Sequence, residues 1–312
     1  MPASTQMKSV IVKNVKKTFR AGKLKVTALE NISFEVTPGE LFGVIGPDGA
    51  GKTTLFRILT TLMLADEGVA EVDGLDVVKD FKTIRKQVGY MPGRFSLYQD
   101  LTVEENLSFF ATLFNTSISE NYDLVKDIYV QIEPFKHRKA GALSGGMKQK
   151  LALSCALIHR PSVLFLDEPT TGVDALSRQE FWELLRNLQK QDITIVVSTP
   201  YMDEAGLCNR VALLQEGKIL DIDSPLGIIG KFKKPLWAIQ SKTMYRLMMD
   251  LKKMVDVESC FPFGQEHHIM LRREDMVHSL ERDLVALGHT QLKIKRIEAT
   301  IEDAFMELMK PH

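Results

Sequence analysis

The chain has little cysteine, no excess of either charge and no long apolar run. Its 312 residues include three cysteines, Cys155, Cys208 and Cys260, and none of them falls in a cluster with zinc-ligand spacing. We expect reduced thiols in a cytosolic protein rather than a disulfide framework. No stretch of about 18 consecutive apolar residues occurs, and the first residues lack the apolar core of a signal peptide. The chain is therefore not expected to cross a membrane itself.

The formal net charge of the chain at pH 7 is zero. Forty basic residues face forty acidic residues, so no global field draws the protein to nucleic acid or to an anionic bilayer. Any partner must be recognised locally. The length gives room for roughly two domains, and the hydrophobic fraction of 45% is that of an ordinary globular protein.

Three short apolar runs are typical of central parallel strands: Leu41–Ile45, residues 163–166 and residues 193–197. They are too short for helices and lack polar alternation, which indicates that both faces are covered. Residues able to do chemistry follow each run. Since ligands of open α/β sheets bind outside the carboxyl ends of the strands, these endings should gather into one site.

The rest of the chain divides into regions of different pattern. Residues 9–19 and 28–36 alternate as antiparallel strands at the sheet edge would. A helical insert is predicted over about 90–159, with clearer segments at 103–114 and 122–132. Glycine, proline and lysine then mark a boundary over 224–235. The predicted domains are 1–230 and 231–312.

The second predicted domain has the order strand, helix, strand, strand, helix, strand over residues 236–295, a split βαβ arrangement. Its helices are predicted at 244–254 and 276–287, and a last helix at 300–309. The His267–His268 pair has no other ligand cluster nearby, so a solvent-facing strand start is expected there rather than a metal site.

A phosphate-binding loop is predicted directly after the first apolar run, because residues 46–53 read GPDGAGKT and match GxxxxGK[ST]. The glycines let successive N–H groups point at a phosphate, and the following helix adds its positive end. Lys52 would bridge the β- and γ-phosphates, and the Thr53 hydroxyl would hold Mg²⁺. The candidate nucleotide-binding residues are Gly46, Pro47, Asp48, Gly49, Ala50, Gly51, Lys52, Thr53 and Thr54.

Two carboxylates follow the second apolar run. Asp167 can accept the water ligands of a metal ion and is the metal candidate beside Thr53. Glu168 comes next and could orient or deprotonate an attacking water, which makes it the catalytic candidate. Two acids at a strand end are by themselves more typical of a solvated turn, but the phosphate loop reverses that preference.

A second helix start rich in glycine lies at residues 143–149, LSGGMKQ, and by itself it would be a capped helix with flexible glycines. One nucleotide does not need two anion-binding helix ends from the same chain. This second end is therefore available to the γ-phosphate of a nucleotide on another subunit, which favours a dimer. Its candidate residues are Ser144, Gly145, Gly146 and Gln149.

The motifs GPDGAGKTT, LSGGMKQK and LFLDEPTTGVD together resemble the ATP-binding cassette ATPases over residues 7–224. The resemblance is strongest for drug- and lipid-exporter ATPases that partner separately encoded membrane subunits. It implies an α/β P-loop NTPase fold of the RecA-like kind: a parallel sheet core, an antiparallel edge sheet and a helical subdomain. Residues 231–312 resemble the small α+β accessory domain that many of these ATPases carry.

The resemblance implies roles for further residues. Phe19 matches the aromatic that stacks on adenine, although packing of an edge strand would explain it equally well. Asp174 ends the loop through which two cassettes sense each other. Residues 90–102 match the segment under the membrane partner's coupling helix. Candidate contacts in that segment are Arg94, Phe95 and Tyr98.

Two positions depart from the family pattern, and both bear on hydrolysis. Gly93 stands where the family has a glutamine that touches Mg²⁺ and the attacking water. Pro200 stands where a histidine donates to the γ-phosphate, and proline has neither a side-chain donor nor a backbone N–H. Losing one such donor typically costs about 3 kcal/mol, so we expect intact ATP binding with slow turnover.

These departures favour an asymmetric heterodimer. Lys52 and Asp167 would hold one ATP at a slow site, while Ser144, Gly145 and Gly146 would complete a competent site on a sister cassette. The other partners implied are polytopic membrane permease subunits, and no nucleic acid. The chain would then be a cytoplasmic protein bound peripherally at the cytoplasmic face of the membrane.

Two alternatives stay open. A non-hydrolysing, ATP-gated scaffold gains directly from Gly93 and Pro200. A soluble cassette ATPase acting on ribosomes or DNA would need a second phosphate loop or a coiled-coil insertion, and the sequence contains neither.

Overall fold

The computed structural model describes residues 8–22 and 24–309, so both outer limits of the predicted domains, residues 1 and 312, lie outside the described residues. The chain divides into two compact units between Pro225 and Leu226. The boundary predicted at residue 230 falls inside helix α8 (Pro225–Lys231), which spans this point.

The first unit is built on a six-stranded sheet with the order β10-β9-β3-β8-β7-β6. All neighbouring strands run parallel except the antiparallel pair β9 and β10. Their bounds are β3 (Leu41–Ile45), β6 (Val88–Met91), β7 (Val163–Asp167), β8 (Thr194–Thr199), β9 (Arg210–Gln215) and β10 (Lys218–Asp223).

The three apolar runs form the centre of this sheet, which confirms the predicted parallel strands. Every residue of β3, β7 and β8 is buried. Burial on both faces explains why these segments lack polar alternation. The predicted fold class is therefore confirmed, and the carboxyl ends of β3, β7 and β8 lie side by side.

A second sheet, which is antiparallel, packs with the first. Side chains from both sheets and from helix α1 (Lys52–Leu59) share one buried apolar core. The order of the second sheet is β2-β1-β4-β5, with β1 (Val10–Ala21), β2 (Leu24–Val36), β4 (Glu67–Val72) and β5 (Leu75–Asp76). The antiparallel pairing predicted for residues 9–19 and 28–36 is confirmed. Phe34 and Phe42 stack at 5.2 Å between ring centroids and join the two sheets.

Helices complete the first unit, and one expectation about them was wrong. Tyr90 and Met91 belong to strand β6, so the helical insert begins later than residue 90. Helix α3 begins with a capping box in which Thr102 and Glu105 satisfy each other's backbone N–H groups. The helices are α2 (Phe81–Gln87), α3 (Val103–Leu113), α4 (Tyr122–Tyr129), α5 (Gly145–Leu157), α6 (Ala175–Gln189) and α7 (Met202–Ala205).

The second unit has the strand and helix order expected from residues 236–295. Its sheet runs β12-β13-β11-β14, antiparallel throughout. The elements are β11 (Leu236–Gln240), α9 (Met244–Leu251), β12 (Val257–Phe263), β13 (Glu266–Leu271), α10 (Val277–Ala286), β14 (Lys293–Ile297) and α11 (Ile301–Leu308). An apolar core of Ile239, Leu247, Ile269 and Leu284 joins the sheet to α9 and α10.

The solvent-facing position expected for His267 and His268 was wrong, because both are buried. They lie on β13, an inner strand of the sheet, and His268 Nδ1 lies 2.7 Å from Oδ1 of Asp303 on α11. Asp303 also accepts from the backbone N–H and hydroxyl of Thr300, closing a capping box at the start of α11. The imidazole thus ties the last helix to the sheet, a long-range role that a local pattern does not show.

Two negative findings apply to residues 8–22 and 24–309. No helix there has both the length and the hydropathy needed to span a bilayer. No group of three or more histidine, cysteine, aspartate or glutamate side chains is placed to hold a metal ion.

Candidate active site

The predicted phosphate loop joins β3 to α1 and needs glycine where the chain is crowded. A Cβ on Gly46 would lie 2.0 Å from the carbonyl oxygen of Leu214. Gly51 precedes α1 with φ of 110°, and a Cβ there would lie 2.4 Å from the carbonyl oxygen of Ala28. Neither position has room for a side chain, so the two glycines let the loop pack against its neighbours.

The Lys52 ammonium lies inside this loop. Its Nζ donates to the carbonyl oxygens of Gly46 at 2.7 Å and Pro47 at 2.9 Å. The same atom lies 3.0 Å from Oε1 of Glu168, and the side chain is only 3% exposed. A cation is therefore held at the start of α1, where backbone N–H groups also favour an anion.

The loop borders a cleft of about 150 Å³ that also reaches Glu168. Thr53 and Thr54, in the first turn of α1, are half-buried on its wall. The structure thus brings together the phosphate loop and the catalytic candidate from β7, two segments that are more than 100 residues apart in sequence. The lining residues are Ala28, Gly49, Gly51, Lys52, Thr53, Thr54 and Glu168.

The carboxylates at the end of β7 are fixed by β8. Asp167 is 1% exposed, and its Oδ1 accepts from the Ser198 hydroxyl at 2.7 Å. The Glu168 backbone N–H donates to Ser198 Oγ at 3.0 Å and to its carbonyl oxygen at 3.1 Å. Glu168 has φ of 50°, in the left-handed region that non-glycine residues seldom adopt, and its carboxylate lies beside Lys52. Ser198 anchors both acids, a role that its sequence position alone did not reveal.

Gly93 lies beside these carboxylates, and a Cβ there would lie 3.0 Å from the Asp167 carbonyl oxygen and 3.7 Å from the Glu168 Cβ. Glycine adds no polar group at this point. Position 93 is therefore near the two acids, yet it supplies neither a donor nor an acceptor side chain.

Tyr90, from the preceding strand, stays protonated because burial, aided by the Asp167 carboxylate, raises the pKa of Tyr90 to about 12.

Pro200 follows β8 and contributes no donor either. Its neighbour Thr199 donates to Oε2 of Glu204 at 2.5 Å and accepts from the backbone N–H of Tyr201 at 3.1 Å. Both hydrogen bonds of the Thr199 hydroxyl are thus made with residues other than Pro200.

The glycine-rich start of α5 packs against α6 of the same chain. Ser144 caps α5 by accepting from the backbone N–H of Met147 at 3.3 Å. A Cβ on Gly146 would lie 2.6 Å from Ser177 Oγ, so the glycine permits close contact with α6. Ser144 and Gly145 are exposed at this end. An exposed helix start is suited to an anion on another molecule, because the first N–H groups of a helix have no carbonyl partner within it.

Two further predicted residues flank this region. Asp174 caps α6 by accepting from the backbone N–H of Ser177 at 3.0 Å, and this bond lowers the pKa of the Asp174 carboxyl. Gln149 is half-buried in α5. Since Gly146 and Asp174 both lie next to Ser177, the α5 start and the predicted sensing loop are neighbours within one chain.

Phe19 lies on β1 opposite Val26, and its side chain is 40% exposed. The ammonium of Lys17 lies 5.8 Å from the ring centroid. An exposed aromatic ring on a hairpin can stack on a planar ligand, and packing within the hairpin does not bury it.

A groove of about 270 Å³ separates β6 and the segment after it from helices α3 and α5. On its wall His159 stacks on Phe114 with 3.8 Å between centroids, and its Nε2 donates to the Val88 carbonyl oxygen. Burial lowers the pKa of His159, which keeps the ring neutral. Sequence inspection did not identify most of these lining residues. They are Thr60, Leu62, Arg85, Val88, Tyr90, Met91, Pro92, Ser96, Leu97, Phe110, Phe114, Ala152, Cys155, Ala156 and His159.

The predicted contact residues lie next to this groove rather than in its lining. Arg94 is exposed, and Tyr98 is 51% exposed with its ring 4.9 Å from that of Phe109. Phe95 is half-buried, with the Lys148 ammonium 5.6 Å from its ring centroid. Arg94 and Tyr98 thus form an exposed rim beside Ser96 and Leu97 of the groove lining, whereas Phe95 is partly covered.

Comparison with known proteins gives consistent matches. The ABC transporter family model matches residues 29–171. The chain is 35% identical over 286 residues to the probable multidrug ABC transporter ATP-binding protein YbhF of Escherichia coli, covering 90% of this chain and 49% of that protein. It therefore spans about half the length of that relative. It is 40% identical over 220 residues to the Nod factor export ATP-binding protein I of Burkholderia lata, covering 70% of this chain and 71% of that protein.

A solved structure agrees with these relatives. The dimeric post-hydrolysis structure of the ATP-binding cassette MJ0796, bound to ADP and Pi, superimposes with a TM-score of 0.63 at 27% identity. The match covers 69% of this chain and 98% of that one. The phosphate loop, the β7 carboxylates and the α5 start all lie within residues 29–171, which the family model matches.

Proposed function

The chain belongs to the ABC transporter family, and on this premise we propose that it is the ATP-binding, ATP-hydrolysing subunit of an exporter. The observation that carries the proposal is the Lys52 ammonium, buried in a glycine loop and 3.0 Å from Glu168 Oε1. This pairing places a phosphate-binding ammonium group next to a carboxylate that can act on water. Such an arrangement serves phosphoryl transfer to water.

Glu168 is the proposed base or water-orienting group. Its backbone N–H is held by Ser198, while its side chain is 22% exposed. The carboxylate is thus fixed at its backbone yet open to solvent. When a triphosphate binds, Lys52 would exchange its contact with Glu168 for phosphate oxygens, which would free the carboxylate for water.

Mg²⁺ fits the oxygen donors at this edge of the sheet, since it prefers carboxylate and hydroxyl ligands. Asp167 is buried and oriented by the Ser198 hydroxyl at 2.7 Å, and Thr53 lines the cleft. When bound, the ion neutralises charge on the phosphates. Asp167 and Thr53 are the residues proposed to hold it.

Slow turnover at this chain's own site is part of the proposal. Gly93 and Pro200 border the Glu168 region but supply no side-chain donor. One missing preorganised donor typically lowers the rate by about 10² to 10³, and two losses need not add. ATP affinity depends mainly on the loop around Lys52, where such gaps are absent.

A second cassette is proposed to complete each nucleotide site. Ser144 and Gly145 are exposed at the start of α5, where free N–H groups favour a γ-phosphate from the other subunit. The MJ0796 relative forms a dimer. We propose that the partner here is a different cassette with an intact site, because this chain's own site lacks two donors.

The membrane partner is proposed to dock on the groove beside α3 and α5. The apolar wall, with the exposed rim of Arg94 and Tyr98, suits an amphipathic helix from a polytopic permease. The relatives' names point to multidrug and Nod factor export, which supports an export role without fixing the cargo. The chain would then lie peripherally at the cytoplasmic face of a membrane.

One alternative draws on a specific observation. With neither Gly93 nor Pro200 supplying a side-chain donor, the alternative is that ATP binding alone closes a dimer, and the chain would then be an ATP-gated scaffold. Following bound nucleotide through one turnover separates the two functions. A slow ATPase converts its bound ATP to ADP, whereas a scaffold releases it unchanged.

The direct test is calorimetry of MgATP binding to the purified chain. We expect one site per chain, lost in Lys52→Ala and retained in Lys218→Ala, whose surface pair with Glu30 lies at 3.2 Å. Equal binding by wild-type and Lys52→Ala chains would contradict the proposed function.

A further inference from the structure

Glu204 is a buried carboxylate that belongs to none of the motifs described above. It lies on the short helix α7 and is 1% exposed. Its Oε1 accepts from the Thr170 hydroxyl at 2.8 Å, and its Oε2 accepts from the Thr199 hydroxyl at 2.5 Å. Both oxygens are therefore engaged by hydroxyl groups from two other segments.

The two threonines lie next to the groups proposed to act on ATP. Thr170 is two residues beyond Glu168, and Thr199 directly precedes Pro200. Between these points Ser198 already joins the end of β8 to Asp167 and Glu168. Glu204 thus adds a second link between the ends of β7 and β8, beneath the site rather than in it.

Arg178 gives this carboxylate a cationic neighbour. Its Nε lies 3.7 Å from Glu204 Oε1, and its guanidinium carbon lies 4.3 Å from the centroid of the Tyr201 ring. Two hydroxyl donors and a nearby guanidinium thus surround this buried acid with polar partners. Such a network specifies one arrangement of the segments it joins, because breaking any bond leaves a buried polar group unsatisfied.

We propose that Glu204 is a positioning residue for ATP hydrolysis, holding the Glu168 loop and the Pro200 loop in register. This inference rests on the proposed function. With no histidine at position 200 to steady Glu168, the register of the two loops depends on the threonine hydroxyls that Glu204 accepts. Glu204 is buried and lies outside the lining of the cleft beside Lys52, so its removal should lower kcat and leave the KM for ATP unchanged.

The chain offers a matched control in Glu40. This acid is also buried, accepts from the Thr37 hydroxyl at 2.8 Å and lies 3.2 Å from Arg210 Nη1. It precedes β3, at the opposite edge of the sheet from the phosphate loop. Glu40→Gln therefore reports the general cost of neutralising a buried, threonine-bound acid in this unit.

The experiment compares single-turnover and steady-state ATP hydrolysis by the full chain. Glu204→Gln should lower kcat about tenfold with KM within about twofold of wild type, as expected for one lost charge-assisted hydrogen bond. Glu40→Gln should lower the melting temperature and leave kcat unchanged. Equal kcat losses in the two variants would overturn the inference.

A double-mutant cycle with Pro200→His makes the test independent of stability. If Glu204 takes the place of the absent histidine as a brace, Glu204→Gln should cost less than about threefold in the Pro200→His background. A full tenfold cost in both backgrounds would overturn the inference. Should Glu204→Gln fail to fold, Thr170→Val removes one donor to the same carboxylate and should lower kcat severalfold at unchanged KM, while an unchanged kcat would count against the proposal.

The outcomes also separate this inference from the function on which it rests. ATP binding that is indifferent to Lys52→Ala would end the proposed function. ATP binding that requires Lys52, together with a kcat indifferent to Glu204→Gln, would end the positioning role alone.

Discussion

The two sides of the nucleotide site differ in how completely they are equipped. On the phosphate side, Lys52 has three oxygen partners within 3.0 Å, and neither Gly46 nor Gly51 has room for a side chain. On the hydrolytic side, Glu168 is well anchored, but positions 93 and 200 add no polar side chain. The contrast shows that gripping a triphosphate and cleaving it depend on separable groups, so one can persist while the other weakens.

The largest expected effect is on the phosphate side. Lys52→Ala removes a buried cation and should weaken MgATP binding about 10³-fold, since hydrogen bonds from charged groups are the strongest available there. Calorimetry measures this loss, with Lys218→Ala as the surface control. A loss below about tenfold would mean that the grip does not depend on this ammonium.

The second-largest effect is expected from a variant that gives the hydrolytic side the donor it lacks. Pro200→His restores a donor near the γ-phosphate and should raise single-turnover hydrolysis about 100-fold, with ATP affinity nearly unchanged. Rapid-quench assays of bound ATP measure the rate. An unaltered rate would show that the missing histidine does not limit this site.

A smaller gain is expected from Gly93→Gln. The new amide would reach the region of Asp167 and Glu168, but its Cβ must fit 3.0 Å from the Asp167 carbonyl oxygen. We therefore expect only about a tenfold increase in rate, because the crowded backbone offsets part of the benefit. Gly93→Ala is the matched control, since it carries the crowding without the amide and should give no increase.

The smallest effect is expected at Phe19. Its exposed ring should contribute about 1 kcal/mol of stacking, so Phe19→Ala should weaken ATP binding about fivefold. The loss should be specific for adenine and vanish with inorganic triphosphate. Leu24, 72% exposed on the same hairpin, provides the control variant Leu24→Ala, and an equal effect of the two would remove Phe19 from the site.

The phosphate side could be predicted from sequence because the residues that form it are contiguous in the chain. Residues 46–53 supply the turn, the cation and the helix start in one stretch, and β3 forms as its apolar run indicates. The family resemblance was confirmed for the same reason, since the motifs that carry it are short and ordered. The predicted roles of the individual site residues stay predictions.

The groups that brace the site could not be predicted in this way. Ser198 and Glu204 act on residues that are about 30 positions away in sequence, through contacts made only when β7 and β8 pair. Strand β4, whose pattern is weak, is fixed by pairing with β1 across more than 50 residues. Each depends on tertiary contact, which local periodicity does not encode.

In the second unit the helices and strands could be predicted from sequence, but the burial of two residues could not. Its alternation of strands and helices is plain in the sequence, yet His267 and His268 are inside rather than outside. A solvent-facing strand start was expected because the pair has no other ligand cluster nearby in sequence. The partner of His268, Asp303, lies 35 residues further on at the start of α11, and His267 donates to the Met244 carbonyl oxygen at 2.9 Å.

The most direct test of strong ATP binding with slow hydrolysis loads the purified chain with radiolabelled MgATP and follows the bound nucleotide through one turnover. We expect tight, Lys52-dependent retention of ATP and slow conversion to ADP, accelerated by Pro200→His. Rapid steady-state hydrolysis by the unmodified chain alone would show that its own site is not slow.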